Sequence, residues 1–170
     1  MRNRVRFRYW AHAAIIAALY AALTHLQNFL LPGSASWAIQ CRLSEALSIL
    51  AFFTPAAIPG LAAGCQVFNL TSAAVLPLDF LVGTLATVLS AFAMWLLRRC
   101  TLKGLPLAGL LMPALFNAIL VGWELSVYIG GGFFLNGLYV AIGELIVLLV
   151  FGTLLYRVMK KRKLDQLLFG

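Results

Sequence analysis

Three clusters of basic residues divide an otherwise apolar chain, and their placement restricts the possible folds more than any other feature. Arg2, Arg4, Arg6 and Arg8 precede the first apolar run. Arg98, Arg99 and Lys103 separate two later runs, and Arg157, Lys160, Lys161, Arg162 and Lys163 follow the last. The runs between them are long enough for spanning helices, each of which needs about 20 apolar residues at a rise of about 1.5 Å. With 63% hydrophobic and 11% charged residues over 170 positions, and a mean hydropathy of +0.97, polar side chains are too few to cover a water-soluble domain. The excess apolar surface has to face lipid. The net charge of +8 then reads as membrane-flanking clusters, not as a nucleic-acid footprint.

Proline, glycine and charge punctuate the apolar sequence into six segments. The first runs from Trp10 to Leu31 and is closed by Pro32 and Gly33. The stretch from Trp37 to Pro77 is split by Thr54, Pro55, Pro59 and Gly60 into helices near 38–54 and 57–75. Pro77 and Asp79 open a fourth, which ends at Arg98 and Arg99; a fifth covers about 105–127, and Gly130, Gly131 and Gly132 separate it from a sixth at about 134–156. The expected architecture is all-α: a single membrane domain over 1–170, with a basic N-terminus at 1–9, six transmembrane helices within 10–156 and a basic tail at 157–170. The second segment is short and contains Arg42 and Glu45, so a re-entrant or tilted piece is admissible there. With both termini in the cytoplasm, all three basic clusters fall inside, and the outer loops near 32–37, 76–79 and 128–133 carry no Lys or Arg. The run from Trp10 is too long for the h-region of a cleaved signal peptide, which spans about 7–15 residues.

The sequence has no P-loop, HExxH, GxSxG or nucleotide fingerprint, so no catalytic residue and no cofactor is assigned, and any ATP-driven process requires another chain. Cys41, Cys65 and Cys100 form no CxxC pair and have no histidine at ligand spacing. They read as small apolar residues, without a disulfide or metal site.

Ionisable groups within spans cost about 2.5–3.5 kcal/mol on insertion scales, which makes each a candidate functional residue. Arg42 and Glu45 lie three apart and are expected to pair on one helix face. Asp79 is expected to cap the fourth helix. Asn117 and Glu124 are seven apart on the fifth helix, with Trp123 beside them, and Glu144 lies on the sixth below Asn136 and Tyr139. Gln66 and Asn69 share a face of the third. With the orientation above, nearly all of these fall in the outer half of the membrane and describe a polar pocket open to the outside. Its carboxylates, amides and aromatics suit a cationic or donor-rich planar ligand, because one carboxylate accepts two parallel hydrogen bonds from an amidine-like edge.

The first helix has a different pattern. Ala13, Ala14, Ala17, Ala18, Ala21 and Ala22 form two interleaved small-residue stripes that permit close approach of another helix, either internal or in a partner subunit. Thr24, His25, Gln27 and Asn28 at its outer end are expected at the pocket rim or among headgroups. The sequon at Asn69 falls inside a helix and reads as accidental.

Gln40-Cys41-Arg42-Leu43-Ser44-Glu45-Ala46-Leu47, followed by Phe52-Phe53-Thr54-Pro55-Ala56-Ala57-Ile58-Pro59-Gly60-Leu61, resembles the hallmark of the QueT family. Gly64, Asn69, the stretch from Asp79 to Leu85, and Tyr139 through Gly143 and Glu144 are similar to the same pattern, which extends over most of the chain from Ala17 onward. QueT proteins are similar to the substrate-binding S components of energy-coupling factor (ECF) transporters. The resemblance implies a six-helix, multi-pass protein of the bacterial cell membrane. It would capture a queuosine precursor, preQ1 (7-aminomethyl-7-deazaguanine) or queuine, from outside. It also implies a membrane-embedded coupling subunit and two ATPase subunits as partners, with the alanine stripe (Ala14, Ala17, Ala18, Ala21, Ala22) facing the coupling subunit. Expected substrate contacts are Glu144, Glu124, Glu45, Arg42, Asn117, Asn69, Trp123, Tyr139 and Asp79. The rival readings are an S component for another heterocycle such as a thiamin-like cation, a small intramembrane enzyme using Glu45 or Glu144 as acid or base, and a ligand-free structural partner.

Overall fold

The computed structural model describes residues 2–32, 34, 41–72 and 75–169. The described residues are helical apart from short connections and one isolated bridge between Leu102 and Leu105. Helix α1 spans Arg2–Leu30, α2 Ala57–Thr71, α3 Asp79–Leu97, α4 Leu107–Leu110, α5 Met112–Tyr128, α6 Phe133–Val147, α7 Thr153–Lys161 and α8 Leu164–Phe169. A 3₁₀ helix, Leu43–Phe52, lies between α1 and α2, and a π-helical turn, Leu148–Gly152, joins α6 to α7.

Among the described residues, four helices are long and apolar enough to cross a membrane: Asn3–Leu30, Asp79–Leu97, Leu107–Tyr128 and Phe133–Lys161. Two of the six expected segments are shorter. The second is the 10-residue 3₁₀ helix, and the third is the 15-residue α2. Their expected outer ends, 38–40 and 73–74, lie outside the described residues, as do 35–37 of the first loop. At a rise of about 2.0 Å per residue, a 3₁₀ helix reaches further for its length than an α-helix does. Two boundaries also differ from expectation. Helix α1 begins within the basic N-terminal cluster, and the basic tail folds into α8.

Polarity is arranged as lipid requires. Leu85, Leu115, Ile119 and Ile146 are exposed, whereas Thr24, Gln27, Arg42, Glu45, Asn117, Glu124 and Glu144 are buried. The 3₁₀ helix runs through the middle of the bundle and touches α1, α2, α3, α6 and α7. Around its lower part lies the apolar core of Ile16, Ile49, Phe52, Leu61, Met94, Leu148 and Tyr156. Its upper part carries Ser44, Glu45 and Ser48 into the interior.

Helices α1 and α2 approach at their backbones. A methyl group added at Gly60 would stand 2.7 Å from the carbonyl oxygen of Ala13, and one at Gly64 would stand 2.7 Å from that of Ala17. One alanine stripe of α1 therefore packs inside the protein: Ala13 and Ala21 are buried and Ala17 is half-buried against α2. The other, Ala14, Ala18 and Ala22, is exposed. The α5–α6 pair is equally close, since a methyl at Gly122 would meet the Gly137 backbone at 2.7 Å.

Candidate functional site

Above the apolar core, the 3₁₀ helix and α1, α2, α3, α5 and α6 bring charged and amide side chains together. Arg42 sits at the N-cap of the 3₁₀ helix with extended backbone (φ −78°, ψ 104°), so its side chain leaves the helix before the helical register begins. Its guanidinium Nη2 donates to Asp79 Oδ2 at 2.8 Å, and both side chains are buried. Arg42 also lies over the Phe68 ring, 5.7 Å from its centroid. This corrects two expectations. Arg42 pairs with Asp79 and not with Glu45, because the i, i+3 argument presumes a helix that has not yet started at Arg42. Asp79 does not cap its own helix. The N-cap is Leu78, which makes no side-chain cap bond, and Asp79 is the first residue of α3, turned inward to the arginine.

Glu45 is held instead by hydroxyls. Tyr20 of α1 donates to Glu45 Oε1, and Ser48 donates to Glu45 Oε2 at 3.1 Å. In a 3₁₀ helix residues three apart eclipse one another, which stacks Ser48 directly beneath Glu45. Tyr20 went unrecognised in the sequence because an aromatic in an alanine-rich helix reads as packing.

Asn69 of α2 donates through Nδ2 to the backbone oxygen of Asp79 at 2.8 Å, joining α2 to the start of α3. Room for this junction is made by Gly83, where a methyl group would stand 2.6 Å from Asp79 Oδ1 and 3.1 Å from Asn69 Nδ2. On the other side, Asn117 of α5 donates to Glu144 Oε1 of α6 at 3.3 Å. Glu144 lies within electrostatic reach of Glu45 and Arg42, and Glu124 within reach of Asp79 and Arg42. Arg42 thus lies within electrostatic reach of four carboxylates, Glu45, Asp79, Glu124 and Glu144, and bonds one of them, Asp79.

The rim also departs from expectation in part. Thr24 bonds Ser44 Oγ at 2.7 Å, and Gln27 Oε1 accepts the Leu43 N–H at 2.7 Å, so both are buried clasps between α1 and the 3₁₀ helix. His25 is exposed beside Thr71, at 2.9 Å. Asn136 donates to the Gly130 carbonyl at 2.7 Å and fastens the glycine loop. Trp123 is half-exposed on the outside of α5 and is not brought to the cluster: neighbours on a helix are about 100° apart, so it turns outward where Glu124 turns inward. Tyr139 is half-buried on α6 and makes no hydrogen bond among the described residues.

The cluster leaves acceptors without donors. Both oxygens of Glu124, Glu144 Oε2, Asp79 Oδ1 and Asn69 Oδ1 are buried and without a hydrogen-bond partner among the described residues. Buried polar atoms are rarely left so, because each carries a desolvation penalty of about 1–3 kcal/mol, and more if charged. Ser90 Oγ and Thr84 Oγ1, the remaining unpartnered atoms, are hydroxyls that can donate or accept. Such a constellation is complementary to a molecule presenting several N–H groups or a cation.

Neither a curated protein nor a solved structure shows a significant match to the chain. A family model described as QueT transporter matches residues 10–161, from the first apolar helix through the end of α7, a range that includes every member of the buried cluster. This is a membrane protein, and it belongs to the QueT transporter family.

Proposed function

We propose that the chain is the substrate-binding S component of an ECF-type importer, which captures a 7-deazaguanine queuosine precursor, preQ1 or queuine, on the outer side. The observation that supports this most is the set of five buried acceptor atoms without donors, centred on Glu124 and Glu144. A deazaguanine carries a ring N–H beside an amino group, which match the two oxygens of one carboxylate, and preQ1 adds an ammonium for a second. Glu144, Glu124, Asn117, Asn69 and Asp79 take the ligand. Arg42 and Glu45 hold the wall, with Tyr20 orienting Glu45. The protein performs no chemistry on its ligand; it binds and hands over. Titration calorimetry with preQ1, queuine, guanine and thiamin, together with mass spectrometry of what co-purifies, tests the reading. Tightest binding of a deazaguanine supports it, and preference for thiamin overturns it.

Uptake on this reading requires a membrane coupling subunit and two ATPase subunits. The exposed stripe Ala14, Ala18 and Ala22 is the face offered to the coupling subunit, because small side chains let helix backbones approach. Ala18→Leu with Ala22→Leu is expected to abolish uptake while the isolated protein still binds ligand. Ala17→Leu faces α2 and should instead cost stability, about 1–3 kcal/mol as overpacking. Loss of ligand binding in the Ala18/Ala22 variant, with the complex still assembling, would show that stripe to be internal.

The chain crosses the bacterial cell membrane six times with both termini inside, the 3₁₀ helix and α2 serving as the short crossings. With Cys41, Cys65 and Cys100 replaced by Ser, a cysteine at Ser34 or Gly131 should react with an impermeant maleimide on intact cells. One at Lys161 should not. The reverse pattern inverts the orientation and removes the outward-facing site with it.

A further inference from the structure

The basic end of the bundle carries charge that the chain does not neutralise. Among the described Lys and Arg side chains only Arg42 lies in the buried cluster, and of the five acids only Asp165 lies outside it. Asp165 is already engaged: Lys160 Nζ donates to its Oδ2 at 2.8 Å, and this contact holds the Asp165 carboxyl below the usual carboxylate range. Between the α3–α4 connection and α7 lies an open groove of about 420 Å³, lined by Lys103, Leu105, Tyr156, Arg157, Lys160 and Lys161. Lys103, Arg157 and Lys161 make no hydrogen bond or ion pair among the described residues.

The backbone presents one of these cations at a cost. Lys103 (φ 51°) and Gly104 (φ 80°) are the two central residues of a tight turn, closed by Leu102 N–H to Leu105 O at 2.8 Å and the reverse bond at 3.1 Å. Such turns need positive φ at both positions and are normally built from Asn or Gly, since a longer L side chain there is strained. Lys103 is exposed, so packing does not compensate. The one other non-glycine residue with positive φ among the described residues is Lys163 (φ 53°), between α7 and α8 at the same end. Strain that persists at a position without packing points to a use for the side chain it displays. Apolar surface lies close by on α7: Leu154 and Val158, each three residues before Arg157 and Lys161 respectively and so on the same side of the helix, are exposed.

We propose that this groove holds the phosphate of an anionic phospholipid, with Lys103, Arg157 and Lys161 as its ligands and the acyl chains lying along the exposed side of α7. This nearby apolar surface favours a lipid over a free phosphate. Each Lys or Arg near an anionic membrane surface contributes enough that its removal weakens binding about fivefold.

The test uses the full chain in detergent with added phosphatidylglycerol or phosphatidylcholine, reading retained lipid by native mass spectrometry and the thermal unfolding midpoint. Phosphatidylglycerol is expected to be retained and to raise the midpoint, and phosphatidylcholine and inorganic phosphate are not. Lys103→Gly removes the cation and relieves the turn. Its midpoint without anionic lipid should therefore hold or rise while phosphatidylglycerol binding falls about fivefold. Arg157→Gln should weaken retention similarly, whereas Arg6→Gln, which removes the same charge from the exposed start of α1, should not. Undiminished retention by Lys103→Gly, equal loss in Arg6→Gln, or a midpoint rise with inorganic phosphate alone would each overturn the site.

Discussion

Glu124→Gln and Glu144→Gln are each expected to weaken binding of a 7-aminomethyl-7-deazaguanine at least about tenfold, with the bundle still folded. Charge-assisted hydrogen bonds contribute about 1.5–3 kcal/mol each, so losing one prong of a carboxylate contact already reaches that range. Glutamine preserves the shape but replaces one acceptor by an NH₂ donor, which opposes the donors of the ligand. The same change acts oppositely on the empty protein. Glu124 has both oxygens buried without a partner, and removing a buried charge of that kind relieves desolvation. Glu124→Gln should therefore leave the ligand-free unfolding midpoint unchanged or raised. At Glu144 the retained amide oxygen can still accept from Asn117 Nδ2. Weaker binding together with an undiminished midpoint identifies a carboxylate kept for a ligand, whereas a lowered midpoint identifies structural glue. If calorimetry finds both variants binding as tightly as the parent, the carboxylates are not the recognition element.

Much of the bundle's outline was legible because lipid simplifies the physics. Apolar runs, their punctuation and the basic clusters placed the long helices, although α1 starts at Arg2 and not Trp10 and the last span runs to Lys161 and not about 156. The cost of an ionisable group in a span singled out Arg42, Glu45, Glu124 and Glu144. Partner choice was not legible. The Arg42–Glu45 spacing suggested a local pair, but local spacing has meaning only once the backbone conformation is known, and here it is extended and then 3₁₀. Asp79 looked like a cap because capping is the common use of an acid at a helix start. Its actual partner lies 37 positions away, at a separation no local rule reaches. Trp123 was drawn in by adjacency to Glu124, but neighbours on a helix point about 100° apart, which here puts one outside and the other inside. Gly83 entered only as part of the stretch from Asp79 to Leu85 that resembles the family: its role is the space it leaves for Asp79 and Asn69, which exists only after α2 and α3 have packed.

The Arg42–Asp79 pair should show the largest effect on stability, and an asymmetric one. Breaking a buried pair by removing one partner typically costs about 3–5 kcal/mol, because the survivor is left as an uncompensated charge. Asp79→Ala strands one cation, but Glu45, Glu124 and Glu144 remain nearby to offset it. Arg42→Ala strands an anion among three other carboxylates and removes the one Arg or Lys of the buried cluster among the described residues. Denaturant unfolding in detergent micelles is expected to show a loss of about 3–5 kcal/mol for Arg42→Ala and a clearly smaller one for Asp79→Ala. The double variant Arg42→Met with Asp79→Leu should recover part of the loss, since an apolar pair of similar volume needs no compensation. Binding separates the two roles further. The Asp79→Ala protein keeps the cation within reach of Glu45, Glu124 and Glu144 and should retain measurable affinity for a deazaguanine. Arg42→Ala leaves the carboxylates to repel one another across the site and should not. Equal losses of stability from the two single variants would mean that Arg42 balances Asp79 alone, and that Glu45, Glu124 and Glu144 are electrostatically independent of it.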